Sequence, residues 1–329
     1  MLLLIHNAAP CAASLADAPR RSVVAMPFIE SGGIKLYFEE HGQGYPIIFV
    51  HEFESDLESW EAQIRHFSRS YRCIAFNARG YPPSDVPDDP AAYGWEFAVQ
   101  DIDAVVRGLS IGRAHVVGSS MGAYAALLFG LRCGEKVSTI VSAGAGLGSP
   151  ASDRESWSKN ASVLARALSV RGIDAMAGKM AGHSTRIRLK HKDPKGWVEF
   201  VERLKQHSTR GMSNTLLQCQ AVRPSLYDFQ DQFSRMKVPV LLAVGDEDKP
   251  CLETALMLKS TIAAAGIWVC PNTGHAVNLE EPAAFNAQVE RFLDAVDRGG
   301  WSHLDRQKQS ASSHEKSTAA LLHFDGALP

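Results

Sequence analysis

The chain has little of what would assign it to most functional classes. Its 34 Lys and Arg against 36 Asp and Glu leave a formal charge of −2 and a pI near 6.6. No positive excess exists to draw it to nucleic acid or to an anionic membrane surface. Six cysteines, at Cys11, Cys73, Cys133, Cys219, Cys251 and Cys270, form neither a C-x-x-C pair nor a disulfide-like framework. A cytoplasmic, reducing compartment is therefore the default expectation, with secretion the lesser alternative. No spacing of His, Cys and acidic residues matches a metal site, and no repeat occurs. The apolar start Leu2–Ile5 is far shorter than a membrane span and lacks the basic lead of a signal peptide. Residues 1–25 read as an extension without a role in the fold. Residues 298–329, with a polar stretch from Ser302 to Lys316, read as a disordered tail.

What is present is alternation. Gly33–Glu40, Pro46–Val50, Tyr71–Phe76, Ala114–Val117, Val137–Ala143, Val238–Gly245 and Ile267–Val269 read as strands. Leu57–Arg69, Trp95–Leu109, Ala123–Leu131, Leu252–Ala265 and Pro282–Val296 read as helices between or after them. Strands alternating with helices predict a parallel sheet, here in residues 26–145 and 237–297. Residues 146–236 break the alternation with helical patterns at Trp157–Leu168, Ile173–Met180, Trp197–Gln206 and Met212–Ala221. Such a length between two strands is too long for a plain connection. A helical lid over a functional site explains it; helices that merely pad the sheet are the alternative.

Gly118-Ser119-Ser120-Met121-Gly122 reads G-x-S-x-G between a buried strand and a helix. In that context a sharp turn pushes the Ser120 hydroxyl out of the sheet's C-terminal edge. A serine hydroxyl is a poor nucleophile until an imidazole takes its proton, and the imidazole needs a carboxylate to hold its tautomer. Both partners follow downstream. Asp246-Glu247-Asp248 leaves the strand ending at Gly245, and His275 follows Asn272-Thr273-Gly274 after the next strand. The order Ser, Asp, His differs from the orders of the chymotrypsin and subtilisin types.

From about Phe28 to Val296 the chain resembles the α/β-hydrolase-fold family, of the type with a lid inserted late in the sheet. The residues that carry the likeness are His51 after the strand Ile47–Val50, Asn77-Ala78-Arg79-Gly80, the Ser120 turn, Gly245 to Asp248, and Gly274-His275 with Glu281-Pro282. The resemblance implies an eight-stranded, mostly parallel sheet with helices on both faces and a site at the strands' C-terminal edge. It extends to esterases, C–C bond hydrolases, epoxide hydrolases and cofactor-free haloperoxidases. The epoxide hydrolases and haloalkane dehalogenases place an aspartate at the turn, so Ser120 argues against them. The family places its acid three residues after the strand-ending glycine, which is Asp248, with Asp246 as the alternative. By position, the oxyanion donors would be the amides of Phe53 and Met121, with His51 supporting their loop. Two departures stand out: Glu52 replaces the glycine usual after His51, and Asn77 replaces a common aspartate.

The resemblance implies a serine hydrolase that needs no cofactor or metal and acts on an ester, a lactone or an activated C–C bond of a small, largely apolar molecule. Alternatives are a non-catalytic ligand receptor on the same fold, or a perhydrolase or haloperoxidase using the same residues. His115, in a buried strand, reads as a core histidine. Gly144-Ala145-Gly146-Leu147-Gly148 lacks the spacing of a dinucleotide site, because Ser149 stands where the third glycine would be. The loop Glu52–Glu58 carries four carboxylates, and Arg186, Arg188, Lys190, Lys192 and Lys195 are basic. Two solvated surfaces are the plain reading; lid docking by charge, or an anionic substrate drawn under the lid, is the sharper one.

Overall fold

The computed structural model describes residues 27–183 and 186–301. The expectations for residues 1–25 and for the tail from Ser302 onward lie outside the described residues. Eight strands form one sheet: β1 Phe28–Ser31, β2 Ile34–His41, β3 Tyr45–Val50, β4 Tyr71–Phe76, β5 Ala114–Ser119, β6 Val137–Ala143, β7 Val240–Gly245 and β8 Ala265–Cys270. Their order is β1-β2-β4-β3-β5-β6-β7-β8. β1–β2 and β2–β4 pair antiparallel, and every later pair is parallel.

Helices cover both faces because the central strands are apolar on both. In β3, Ile48 and Val50 pack with α2 (Trp95–Gly108), α3 (Met121–Arg132) and α10 (Lys249–Thr261). Ile47 and Phe49 point the other way, onto α1 (Glu61–Phe67) and α12 (Pro282–Asp297), where Trp60, Phe67, Phe285 and Phe292 are buried. A period of two on a strand with helices on either side produces the near-continuous apolar run seen in the sequence. His115 sits in β5, buried, with Nδ1 2.8 Å from Thr139 Oγ1. Its burial pushes its pKa down to about 4, the behaviour of a core histidine.

Between β6 and β7 lies a helical insertion: α4 Ala151–Arg171, α5 Ile173–Ala181, α6 Ile187–Lys192, α7 Pro194–Lys205, α8 Thr209–Thr215 with a π-helical turn Leu216–Gln220, and α9 Gln230–Ser234. It has its own apolar core, in which Leu168, Met176, Leu189, Phe200, Leu204 and Met212 are buried. It meets the sheet at the loops that leave strand C-termini. Lys192 bonds Thr273 and Glu281 after β8, Arg223 donates to Leu147 O after β6, and Tyr124 of α3 donates to Pro224 O.

Candidate active site

Ser120 sits between β5 and α3 with φ 49° and ψ −107°, a left-handed backbone that strains a residue with a side chain. Neighbouring structure over-determines the turn. Ser120 N–H donates to Ala143 O at 2.7 Å, and Ser120 O accepts from Tyr124 N–H at 3.0 Å. A Cβ on Gly122 would strike the carbonyl oxygens of Val50 and His51, so α3 can approach β3 this closely only with glycine there.

His275 reaches this serine from the loop after β8. Its Nε2 lies 2.8 Å from Ser120 Oγ, and its Nδ1 lies 2.6 Å from Asp248 Oδ2. With Nδ1–H donating to the carboxylate, Nε2 presents a lone pair to the serine hydroxyl. Both His275 and Asp248 are buried. Burial pulls the His275 pKa down, but the Asp248 charge and hydrogen bond outweigh it, and the pKa lies above its ordinary value of 6.5. Gly144, at φ 65°, leaves room for this ring: a Cβ there would stand 3.3 Å from His275 Nδ1. Asp246 points elsewhere. It is exposed, its Oδ1 accepts from Thr273 N–H at 3.0 Å, and its bonds to the amides of Thr273 and Asn272 hold its carboxyl below the usual range. The structure thus brings Ser120, His275 and Asp248 together and leaves Asp246 out.

Cys251 is a neighbour that the sequence did not single out. Its Sγ lies 3.8 Å from His275 Nδ1 and donates to Gly144 O at 3.2 Å. Asp248, Cys251 and His275 offer possible metal-ligating atoms within 4.8 Å of one another. Burial holds the thiol protonated, however, its pKa well above the ordinary one, and the Asp248 charge adds to that. Each donor in the cluster already has its acceptor, so these residues support the histidine through hydrogen bonds.

The loop after β3 is pinned peptide by peptide. His51 Nδ1 bonds Glu52 O at 2.7 Å, and its Nε2 accepts from Ala78 N–H at 3.0 Å. Only the neutral Nδ1–H tautomer satisfies both, and burial pushes the His51 pKa down to about 4. In a trans peptide the C=O and the following N–H point in opposite directions. Holding the Glu52 carbonyl on His51 therefore turns the Phe53 N–H away from it. Tyr81 donates to Phe53 O at 2.7 Å and fixes the next peptide. The Met121 amide is the first of α3, one of the donors a helix cannot satisfy internally. Asn77 is structural: its Oδ1 accepts from Leu57 N–H and its Nδ2 donates to Pro82 O.

The plain reading of the charged segments is corrected here. Arg186 is buried, its Nη2 2.6 Å from Glu52 Oε2 and its Nε 2.7 Å from Glu54 Oε2. Its guanidinium also lies 5.1 Å from the Phe200 ring. Arg188 pairs with Glu247, Lys192 with Glu281 and Arg203 with Glu58. Of the basic stretch only Arg186 meets the acidic loop; Arg188 and Lys192 reach acids on the loops after β7 and β8, and Lys195 stays exposed.

The profile of the alpha/beta hydrolase family matches residues 41–288. The chain belongs to the alpha/beta hydrolase family. The chain is 24% identical over 258 residues to the 3-oxoadipate enol-lactonase 2 of Acinetobacter baylyi, covering 75% of this chain and 88% of that one. It is 31% identical over 110 residues to epoxide hydrolase 3 of Mus musculus, a stretch that spans only 33% of this chain and 30% of the mouse protein. Its fold matches that of an enol-lactonase from Burkholderia xenovorans LB400 with a TM-score of 0.71 at 22% identity, covering 82% of this chain and all of the other. Among the described residues, no helix is long and apolar enough to cross a membrane.

A cavity of about 30 Å³ adjoins the nucleophile turn, lined by Tyr81, Tyr93, Met121, Thr215 and Cys219 among others. A larger groove of about 190 Å³ lies between the acidic loop and α7, but neither Ser120, Asp248 nor His275 lines it. The smaller space touches the nucleophile turn only through Met121, and Ser120, Asp248 and His275 line neither space.

Proposed function

We propose that this hydrolase cleaves a carboxylic ester or lactone through an acyl-enzyme on Ser120. The observation that carries the reading is the continuous relay from Ser120 Oγ through His275 to Asp248, with bonds of 2.8 and 2.6 Å. Ser120 Oγ attacks the acyl carbon while its proton passes to His275 Nε2, and Asp248 stabilises the imidazolium. The carbonyl oxygen takes up the electron pair and is met by the amides of Phe53 and Met121. As the tetrahedral intermediate collapses, the bond to the leaving oxygen breaks and His275 returns the proton to that oxygen. Water, deprotonated by the same histidine, then releases the acid. The helical insertion acts as the lid, walling this chemistry off from bulk water.

Enol-lactonases among the relatives support a lactone or ester, whose carbonyl this relay suits. The epoxide hydrolases match only about a third of the chain, and Ser120 stands where their resemblance calls for an aspartate. Arg186 is already engaged by two glutamates, which leaves it no free charge to draw an anionic substrate at that side of the site. The test is a fluorophosphonate probe beside a panel of aryl esters and lactones of graded acyl length. Labelling of Ser120 with turnover of at least one ester or lactone is expected. Labelling that persists in Ser120→Ala, or labelling without any turnover, refutes the reading; the latter would leave a ligand receptor.

A further inference from the structure

The residue that replaces the usual glycine after His51 is joined to the helical insertion. Glu52 and Glu54 flank Phe53, and one guanidinium, that of Arg186, holds both. The Phe53 side chain packs against the insertion's apolar core, as does Leu279 of α11 (Val277–Glu280) after His275. The carbonyls on either side of the Phe53 peptides are held by His51 and Tyr81. Every handle on Phe53 is thus taken, and two of them, the guanidinium and the apolar seat, come from the insertion. Arg186 and Glu52 also lie close enough to His275 for their charges to act on it. Arg186 Nη1 and Glu52 Oε1 are buried without a hydrogen-bond partner, and Arg186 is the cation that meets Glu52.

Resting on the serine-hydrolase reading, we propose that Arg186 is a positioning residue that makes the oxyanion hole depend on the seating of the insertion. It acts in two ways. It fixes the loop so that the Phe53 N–H faces the reacting carbonyl. It also offsets part of the charge of two carboxylates that would otherwise stand unopposed near the negative charge developing on the carbonyl oxygen, where repulsion raises the barrier. With Arg186 withdrawn, the loop loses its outer clamp and the oxyanion meets uncompensated Glu52. The pair is buried, so added salt screens it little.

The test uses the full chain and p-nitrophenyl butyrate. Arg186→Met should lower kcat by about 100-fold, the lower range for loss of one oxyanion donor, with KM little changed. Adding Glu52→Gln to Arg186→Met should recover about tenfold of that loss by removing the stranded charge. Arg186→Lys, whose single ammonium cannot span both carboxylates, should fall between wild type and Arg186→Met, and it carries the test if the methionine variant does not fold. Arg188→Met, which breaks an exposed ion pair on the same insertion, should keep its kcat. A kcat near wild type in both Arg186 variants, no recovery on adding Glu52→Gln, or an equal fall in Arg188→Met each overturns the proposal. If instead the wild type neither cleaves the ester nor takes up fluorophosphonate on Ser120, the hydrolase reading beneath it fails, and this result is distinct from the others.

Discussion

The sheet edge and the helical insertion meet at one site but are held by different forces. At the edge, each functional group leaves a strand whose register is set by parallel backbone ladders with buried faces: Ser120 after β5, Asp248 after β7, His275 after β8. The insertion is fastened to that edge by side chains, apolar ones such as Leu226 and Phe233 and ion pairs from buried Arg186 to half-exposed Arg188 and Arg203. Backbone ladders place an atom within tenths of an ångström and resist salt. Ion pairs place it only as well as their burial allows, because exposed pairs contribute little. On the proposed reading, the edge holds the reacting groups and the insertion covers them.

The sharpest way to break this contrast is at the edge itself. Ser120→Ala should abolish turnover, with a loss of about 10⁴-fold or more, while thermal melts stay unchanged. Asp248→Asn should cost about 10⁴-fold in kcat by favouring the wrong tautomer of His275. Asp246→Asn should barely change the rate while weakening the loop it bonds. A dead Asp246→Asn beside a normal Asp248→Asn would reverse the assignment of the acid.

Titration gives the next largest effect. On the proposed mechanism the working form of His275 is neutral, and its pKa lies above 6.5, so kcat/KM should fall as pH drops through that raised value. In Asp248→Asn the acid limb should move to lower pH, because the interaction that raised it is gone; an unmoved limb would assign it to another group. Stability runs by a separate ledger of protons. The contribution of His275 is fully present below 6.5 and is lost as pH rises through its folded pKa. His51 and His115, folded near 4, stabilise above 6.5 and lose that contribution as pH falls from 6.5 toward 4. Urea unfolding across that window should show stability declining with acid; a rise would contradict the burial of these two rings.

Smaller effects sharpen the comparison. Gly122→Ala should cost about 1–3 kcal/mol by pushing α3 off the Val50 and His51 carbonyls, seen as a lower melting temperature. Arg188→Met, in the insertion, should lower the melting temperature less than Gly122→Ala does, and that small effect should shrink in high salt. If the arginine change proves the costlier, the division of labour between edge and insertion is wrong.

The same division explains what was legible in the sequence. Ile47–Val50 and Val240–Gly245 declare themselves because strands buried on both faces must be apolar throughout. The Ser120 turn is legible because so sharp a bend admits few residues on either side. β1, Phe28–Ser31, is not legible as a strand: four residues with one buried face at the sheet's rim carry too little pattern. The pattern over Leu57–Arg69 predicts one helix, yet its first turn is 3₁₀, capped by the Asp56 side chain. α4 begins at Ala151 rather than Trp157, as its first turns are polar and carry no apolar stripe. The Arg186–Glu52 bond spans 134 residues, and no local periodicity reports a partner at that distance. Cys251 escaped notice because nothing in its neighbourhood along the chain points to His275.

The contact between Ser120 and His275 closes a span of 155 residues, with the whole insertion inside it. Contacts so distant along the chain are among the last a folding polypeptide makes, because closing the loop costs entropy before any contact repays it. During synthesis, Ser120 leaves the ribosome long before its base exists. Until β8 pairs beside β7, the nascent chain carries only an ordinary hydroxyl, which spares its surroundings from a half-made enzyme.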